Sequence, residues 1–148
     1  MKVTALLLAD SASVREGLLH VLGAGITRIA RDPLPARLDV ALALMFRADD
    51  QADLVASHNL EVIITETSPG SAGRQVAKVI AEMGLSPGTI VSPGLNLLVP
   101  VVVPIQPVPI PSTGSYAIEV SLDGEAVGSY EFEVVKGADL QPVTPSGT

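Results

Sequence analysis

The chain has 148 residues, enough for one domain that buries about 70% of the surface its unfolded form exposes. Apolar residues make up 47% and charged residues 17%, with 16 acidic against 9 basic side chains, a net charge of −7 and no cysteine. These figures exclude disulfides, thiolate nucleophiles and sulfur-ligated zinc, make nucleic acid a poor candidate partner, and leave apolar faces that self-association or another protein would cover.

The chain opens with Lys2 and then Val3 to Ala9, only seven uncharged residues before Asp10. That run is short for a secretory leader, and Ser11-Ala12-Ser13 only faintly imitates a cleavage site. It reads as a first strand, with a cytoplasmic protein as the expectation. Gly17 to Ala30 carries apolar residues on both faces, as strands covered on both sides do, and Gly23-Ala24-Gly25 suits a bulge or bend. From Ala36 to Phe46 the alternation is strict: Leu38, Val40, Leu42, Leu44 and Phe46 on one face, Arg37, Asp39, Ala41, Ala43 and Met45 on the other. Asn59 to Thr67 repeats it, with Leu60, Val62 and Ile64 on the apolar side. In the next segment Val76, Val79, Ile80 and Met83 fall at helical spacing while Ala77, Val79, Ala81 and Met83 alternate, so periodicity leaves helix and strand open.

Met83 to Ile118 is a run of 36 residues without a charge, interrupted by seven prolines that forbid a continuous helix or a membrane-spanning one. Pro107, Pro109 and Pro111 share one parity, so one side of an extended chain has no N–H donors there and pairing is left to Gln106, Val108 and Ile110. The segment reads either as a blunted edge crossing between two sheets or as a docking strip. In the second case Val99, Val101, Val103, Ile105, Val108 and Ile110 are the partner-binding candidates. The last two strands form a hairpin. A two-residue Asp123-Gly124 turn would set Tyr116 against Glu131 and Leu122 against Glu125, with charges on the dry face. A three-residue loop, Asp123 to Glu125, sets Leu122 against Ala126, Ile118 against Tyr130 and Tyr116 against Phe132, and is the expected register. It gathers three aromatic rings into a core plug. Residues 137–148, with Pro142, Pro145 and a Ser-Gly-Thr end, read as a flexible tail.

No recognisable active site assembles. Gly23-Ala24-Gly25 starts a dinucleotide fingerprint but has Arg28 where the third glycine belongs. His20, between Leu18 and Leu22, and His58 stand alone and read as hydrogen-bonded structural or surface residues, and no Gly-x-Ser-x-Gly elbow exists. Asp49, Asp50 and Asp53 are weak metal candidates that could offer oxygens to calcium, although their spacing matches no EF-hand loop and a solvated loop tip is the plainer reading. Phe46, Tyr116, Tyr130 and Phe132 lie on apolar faces, which argues against sugar stacking. Glu61, Glu66, Glu119, Glu131 and Glu133 alternate with apolar residues and read as a wet face.

Val3-Thr4-Ala5-Leu6-Leu7-Leu8-Ala9-Asp10, Gly17-Leu18-Leu19-His20-Val21-Leu22-Gly23-Ala24-Gly25, Thr113-Gly114-Ser115-Tyr116 and Leu122-Asp123-Gly124 together resemble a family of short bacterial, mainly actinobacterial, β-sandwich proteins grouped as a domain of unknown function. The resemblance covers residues 1 to about 136. It implies a strand at Gln75 to Met83 and carries over no catalytic or binding residue.

The expectation is one all-β domain over residues 1–136, a two-sheet antiparallel β-sandwich of immunoglobulin-like or related topology with about seven to nine strands. Functionally it is a non-catalytic binding or assembly module without a cofactor, self-associating or docking a protein through an apolar sheet face or the proline-rich edge. The alternative is a small-ligand, carbohydrate or calcium-binding domain with its site in the end loops.

Overall fold

The computed structural model describes residues 1–71, 73–84, 97–105 and 108–137. The last two strands, β10 (Gly114–Leu122) and β11 (Glu125–Val135), form the hairpin that the alternation predicts, and β10 lies at the centre of the larger sheet. Their turn has two residues, Asp123 and Gly124, both with positive φ (51° and 84°), and it closes on Leu122 opposite Glu125. This corrects the expected three-residue loop. The inner register nevertheless survives, because Val127 is an unpaired extra residue between Ser121–Ala126 and Val120–Gly128. That bulge restores Ile118 opposite Tyr130 and Tyr116 opposite Phe132, so Glu125 reaches the apolar row only at its exposed end. Tyr116 and Phe132 stack with ring centroids 5.5 Å apart, and the Tyr130 hydroxyl donates to the Ile26 carbonyl at 2.9 Å.

β6 (His58–Glu66) pairs with β10, and β7 (Arg74–Met83) with β6, which resolves the helix-or-strand ambiguity in favour of a strand. β3 (Arg28–Ala30) completes this sheet in the order β3-β11-β10-β6-β7. Its pairing with β11 is parallel, an exception to the expected antiparallel arrangement. The second sheet runs β2-β1-β5-β8, built from β1 (Lys2–Arg15), β2 (Leu18–Ala24), β5 (Ala41–Arg47) and β8 (Leu98–Pro104). One helical turn, α1 (Gln51–Val55), connects β5 to β6.

The expected single strand from Ala36 to Phe46 is divided. Its first residues, β4 (Ala36–Arg37), pair with β9 (Pro109–Ile110) in a two-stranded sheet, and Asp39 then takes a positive φ of 51° before β5 begins. The two segments stay side by side across the break: the Leu38 N–H donates to the Val108 carbonyl and the Ile105 N–H to the Val40 carbonyl. The proline-rich stretch therefore crosses from one sheet to another as an edge, pairing through Val108 and Ile110 as the proline parity requires. The expectation for Gln106 and Pro107 lies outside the described residues, as does that for the tail beyond residue 137.

In all, eleven strands occur among the described residues, more than the seven to nine expected, because β3, β4 and β9 are fragments of two or three residues. The chain is all-β. Leu8, Leu42, Leu44, Phe46 and Val103 of one sheet face Leu60, Val62, Ile64, Tyr116, Ile118, Val120, Phe132 and Val134 of the other. Each such side chain contributes about 1.5–3 kcal/mol by leaving water. Leu38, Val40, Ile105, Val108 and Ile110 fill the core from the crossing segments. No helix among the described residues is long and apolar enough to cross a membrane.

Candidate functional site

The inward row of β6 starts and ends on an ionisable residue. His58 and Glu66, at either end of Leu60, Val62 and Ile64, are the two buried charged or polar side chains among the described residues, 9% and 3% exposed. Glu66 corrects the wet-face reading: it shares the parity of Leu60 and must point inward. It accepts hydrogen bonds from Arg74 Nε at 2.9 Å and Ser112 Oγ at 3.1 Å, and Arg74 Nη2 forms an ion pair with it. Hydrogen bonds from Ser71, Arg74 and Ser112 hold its carboxyl below the usual range against the effect of burial. The Ser112 carbonyl in turn accepts from the Tyr116 hydroxyl at 2.7 Å, which ties the pair to the aromatic stack.

At the other end His58 Nδ1 lies 2.7 Å from Asp123 Oδ2 and Nε2 lies 2.8 Å from the Asp53 carbonyl oxygen. Both partners are acceptors, so the arrangement favours the ring protonated on both nitrogens, each donating to one of them. The Asp123 hydrogen bond, then that to Asp53, raises its pKa above the usual 6.5, against burial. Asp123 occupies the tight turn and also accepts from the Asn59 N–H at 2.8 Å. The His58 hydrogen bond, then this one, lowers its own pKa. A cleft lined by Met1, Asp53, His58, Leu122, Asp123 and Glu125 opens beside the pair. It offers no hydroxyl or thiol nucleophile, and with both nitrogens engaged His58 has no free site to take up a proton. The arrangement clamps α1, β6 and the β10–β11 turn together. Sequence reasoning left His58 as a hydrogen-bonded structural or surface residue, and it is buried and hydrogen-bonded. It missed Asp123 as the partner, which becomes visible only once β10 is known to pair with β6.

The aspartates proposed for calcium are engaged with the protein. Asp49 and Asp53 accept from the Met1 ammonium at 2.9 and 3.0 Å, and Asp53 also accepts from the Asp49 N–H at 2.9 Å; the ammonium lowers the pKa of Asp49, and the Asp49 N–H, then the ammonium, lowers that of Asp53. Asp50 caps α1, its Oδ1 accepting from the Asp53 N–H at 2.9 Å. Among the described residues no group of three or more His, Cys, Asp or Glu is placed to hold a metal ion. His20 lies exposed on β2, opposite Ser13 of β1.

The six candidate docking residues of the proline-rich strip turn toward the core. Val103, Ile105, Val108 and Ile110 are buried, and Val99 and Val101 pack against the same cluster. Of the exposed large apolar side chains among the described residues, Val55, Ile80 and Leu98 lie on α1, β7 and β8, and Val14, Leu18 and Leu22 share the β1–β2 hairpin. No residue from Asp10 to Gly25 is buried, and Val14, Leu18 and Leu22 are 42%, 61% and 71% exposed. The expectation that Gly17 to Ala30 is covered on both sides is thus corrected for β2, because β1 pairs with β5 only as far as Ala9 and the hairpin runs on past the core.

A family model matches residues 4–135. The chain belongs to the family of unknown function DUF6941. No curated protein matches it. Among solved structures it is similar to the Pseudomonas fluorescens alkylpurine DNA glycosylase AlkC bound to DNA containing an abasic site analog, with a TM-score of 0.50 and 14% identity over 90% of this chain. The DUF6941 chain spans 30% of the length of that protein, and at this identity the likeness concerns the fold alone.

Proposed function

We propose that this DUF6941 protein is a non-catalytic assembly module that associates with a second copy of itself through the exposed apolar surface of the β1–β2 hairpin. The observation that carries the reading is the exposure of Leu18 and Leu22 on a hairpin with no buried residue between Asp10 and Gly25. Large apolar side chains grouped on a projecting element mark interaction surfaces, whereas single ones do not. The polar groups at the two ends of β6 are satisfied by partners within the chain, which supports a structural role for them. The net charge of −7 supports a protein partner over a phosphate backbone.

Sedimentation velocity over a wide concentration range tests this. The native chain is expected to sediment as a concentration-dependent dimer, and Leu18→Lys with Leu22→Lys as a folded monomer whose melting temperature matches that of the native chain at high dilution, since both side chains face water in the single chain. A native chain that stays monomeric throughout would overturn the proposal. A calcium titration that raises the melting temperature would favour the ligand-binding alternative instead.

A further inference from the structure

Among the described residues four strands bound the two main sheets, and three of them are guarded. At the two ends of β8 the flanking Leu97 and Ile105 turn their main-chain groups to the β5 side, so the alternate residues, Pro100 and Pro104 among them, turn theirs outward, where prolines offer no donor. β7 carries Arg74, Lys78 and Glu82, and β3 is three residues long. Free edges template pairing with another chain, and short length, charge and proline are the usual protections. β2 has none of them: Leu18–Ala24 contains no proline, lysine, arginine, aspartate or glutamate, and its outer edge is unpaired among the described residues.

The sequence of that edge is self-complementary. Gly17-Leu18-Leu19-His20-Val21-Leu22-Gly23 reads nearly the same in both directions about His20. In an antiparallel two-fold pairing centred there, Leu18 meets Leu22 of the second copy, Leu19 meets Val21, and His20 meets its own counterpart. The hydrogen-bond parity agrees. Glu16 and Gly17 form a two-residue turn with φ of 53° and 74° that closes on Arg15 opposite Leu18, and such a turn aims the main-chain groups of Leu18, and hence of His20 and Leu22, at β1. Leu19 and Val21 aim theirs outward, and only registers that pair such residues with each other can form a ladder. Centring on Leu19 or on Val21 also satisfies parity but sets His20 against a leucine and breaks both Leu18–Leu22 contacts.

We infer that two copies join edge to edge through β2, antiparallel and centred on His20, fusing their four-stranded sheets into one of eight. This rests on the self-association proposed above and names its interface, an isologous contact closed by two-fold symmetry.

The chain has no cysteine, so His20→Cys introduces a single thiol at the two-fold centre, a non-hydrogen-bonded pair whose spacing accommodates a disulfide. Mild oxidation of the full-length variant is expected to yield a covalent dimer, while Leu98→Cys on the β8 edge stays monomeric on a non-reducing gel. Val21→Pro removes an outward N–H without touching the β1–β2 ladder and is expected to abolish the dimer in sedimentation. Failure of His20→Cys to cross-link in a chain that still dimerises, a Val21→Pro variant that still dimerises, or cross-linking through Leu98→Cys instead would each overturn the edge pairing while leaving self-association through another surface. A native chain that is monomeric at every concentration would overturn both.

Discussion

With both ring nitrogens of His58 facing acceptors, loss of its proton aims a lone pair at either the Asp123 carboxylate or the Asp53 carbonyl. Its folded pKa is raised above 6.5, so the contribution of the ion pair to stability is fully present below pH 6.5 and is lost as pH rises through the folded value. Thermal melts taken upward from pH 6 are expected to show a falling melting temperature for the native chain and a flatter profile for His58→Gln. The same slope in both would place the effect elsewhere. Removing the ring altogether, as in His58→Ala, leaves polar neighbours unpaired at the sandwich end and costs about 2 kcal/mol. Little of this was legible beforehand. His58 could be read as structural from its isolation, but Asp123 lies far along the chain and joins it only through strand order.

At the scale of elements, the last hairpin shows what alternation can and cannot specify. Tyr116, Ile118, Phe132 and Val134 had to share a dry face, so their pairing follows from the side chains alone. How the chain accommodates the odd residue does not: a longer loop and a tight turn with a bulge give the same inner register. The protein uses the second because Asp-Gly readily adopts the doubly left-handed turn, which matches the twist of paired strands. Gly124, with φ of 84° and open space around it, is expected to lose about 1 kcal/mol on substitution by alanine, measured by denaturant unfolding. A neutral result would show that the turn relaxes to the longer loop. The division at Asp39 escaped the sequence for a related reason. A strand that changes partner keeps its alternation, and Leu38, Val40 and Leu42 are all buried on either side of the break.

For the molecule as a whole, the excess of acidic over basic side chains bears on the structural likeness to a DNA-bound glycosylase. A scaffold can be shared while the surface charge that attracts phosphate is not. The DUF6941 protein is therefore expected to leave a DNA duplex unshifted in a gel assay at low salt, where electrostatic binding is strongest, and retardation under those conditions would contradict this. The all-β class was legible because two confident alternating runs and the proline spacing all demanded extended chain. The exposed hairpin was not, since apolar residues on both faces look alike whether or not other strands of the chain cover them. The pairing of β3 with β11 carries a consequence of another kind. Ile29 finds its place beside Val134, so a chain emerging from the ribosome holds its early segment without a neighbour until β11, about a hundred residues later, has been synthesised. A product truncated before Glu125 would lack both β11 and the seat for β3, leaving the aromatic ring of Tyr116 open to the solvent and to cellular proteases.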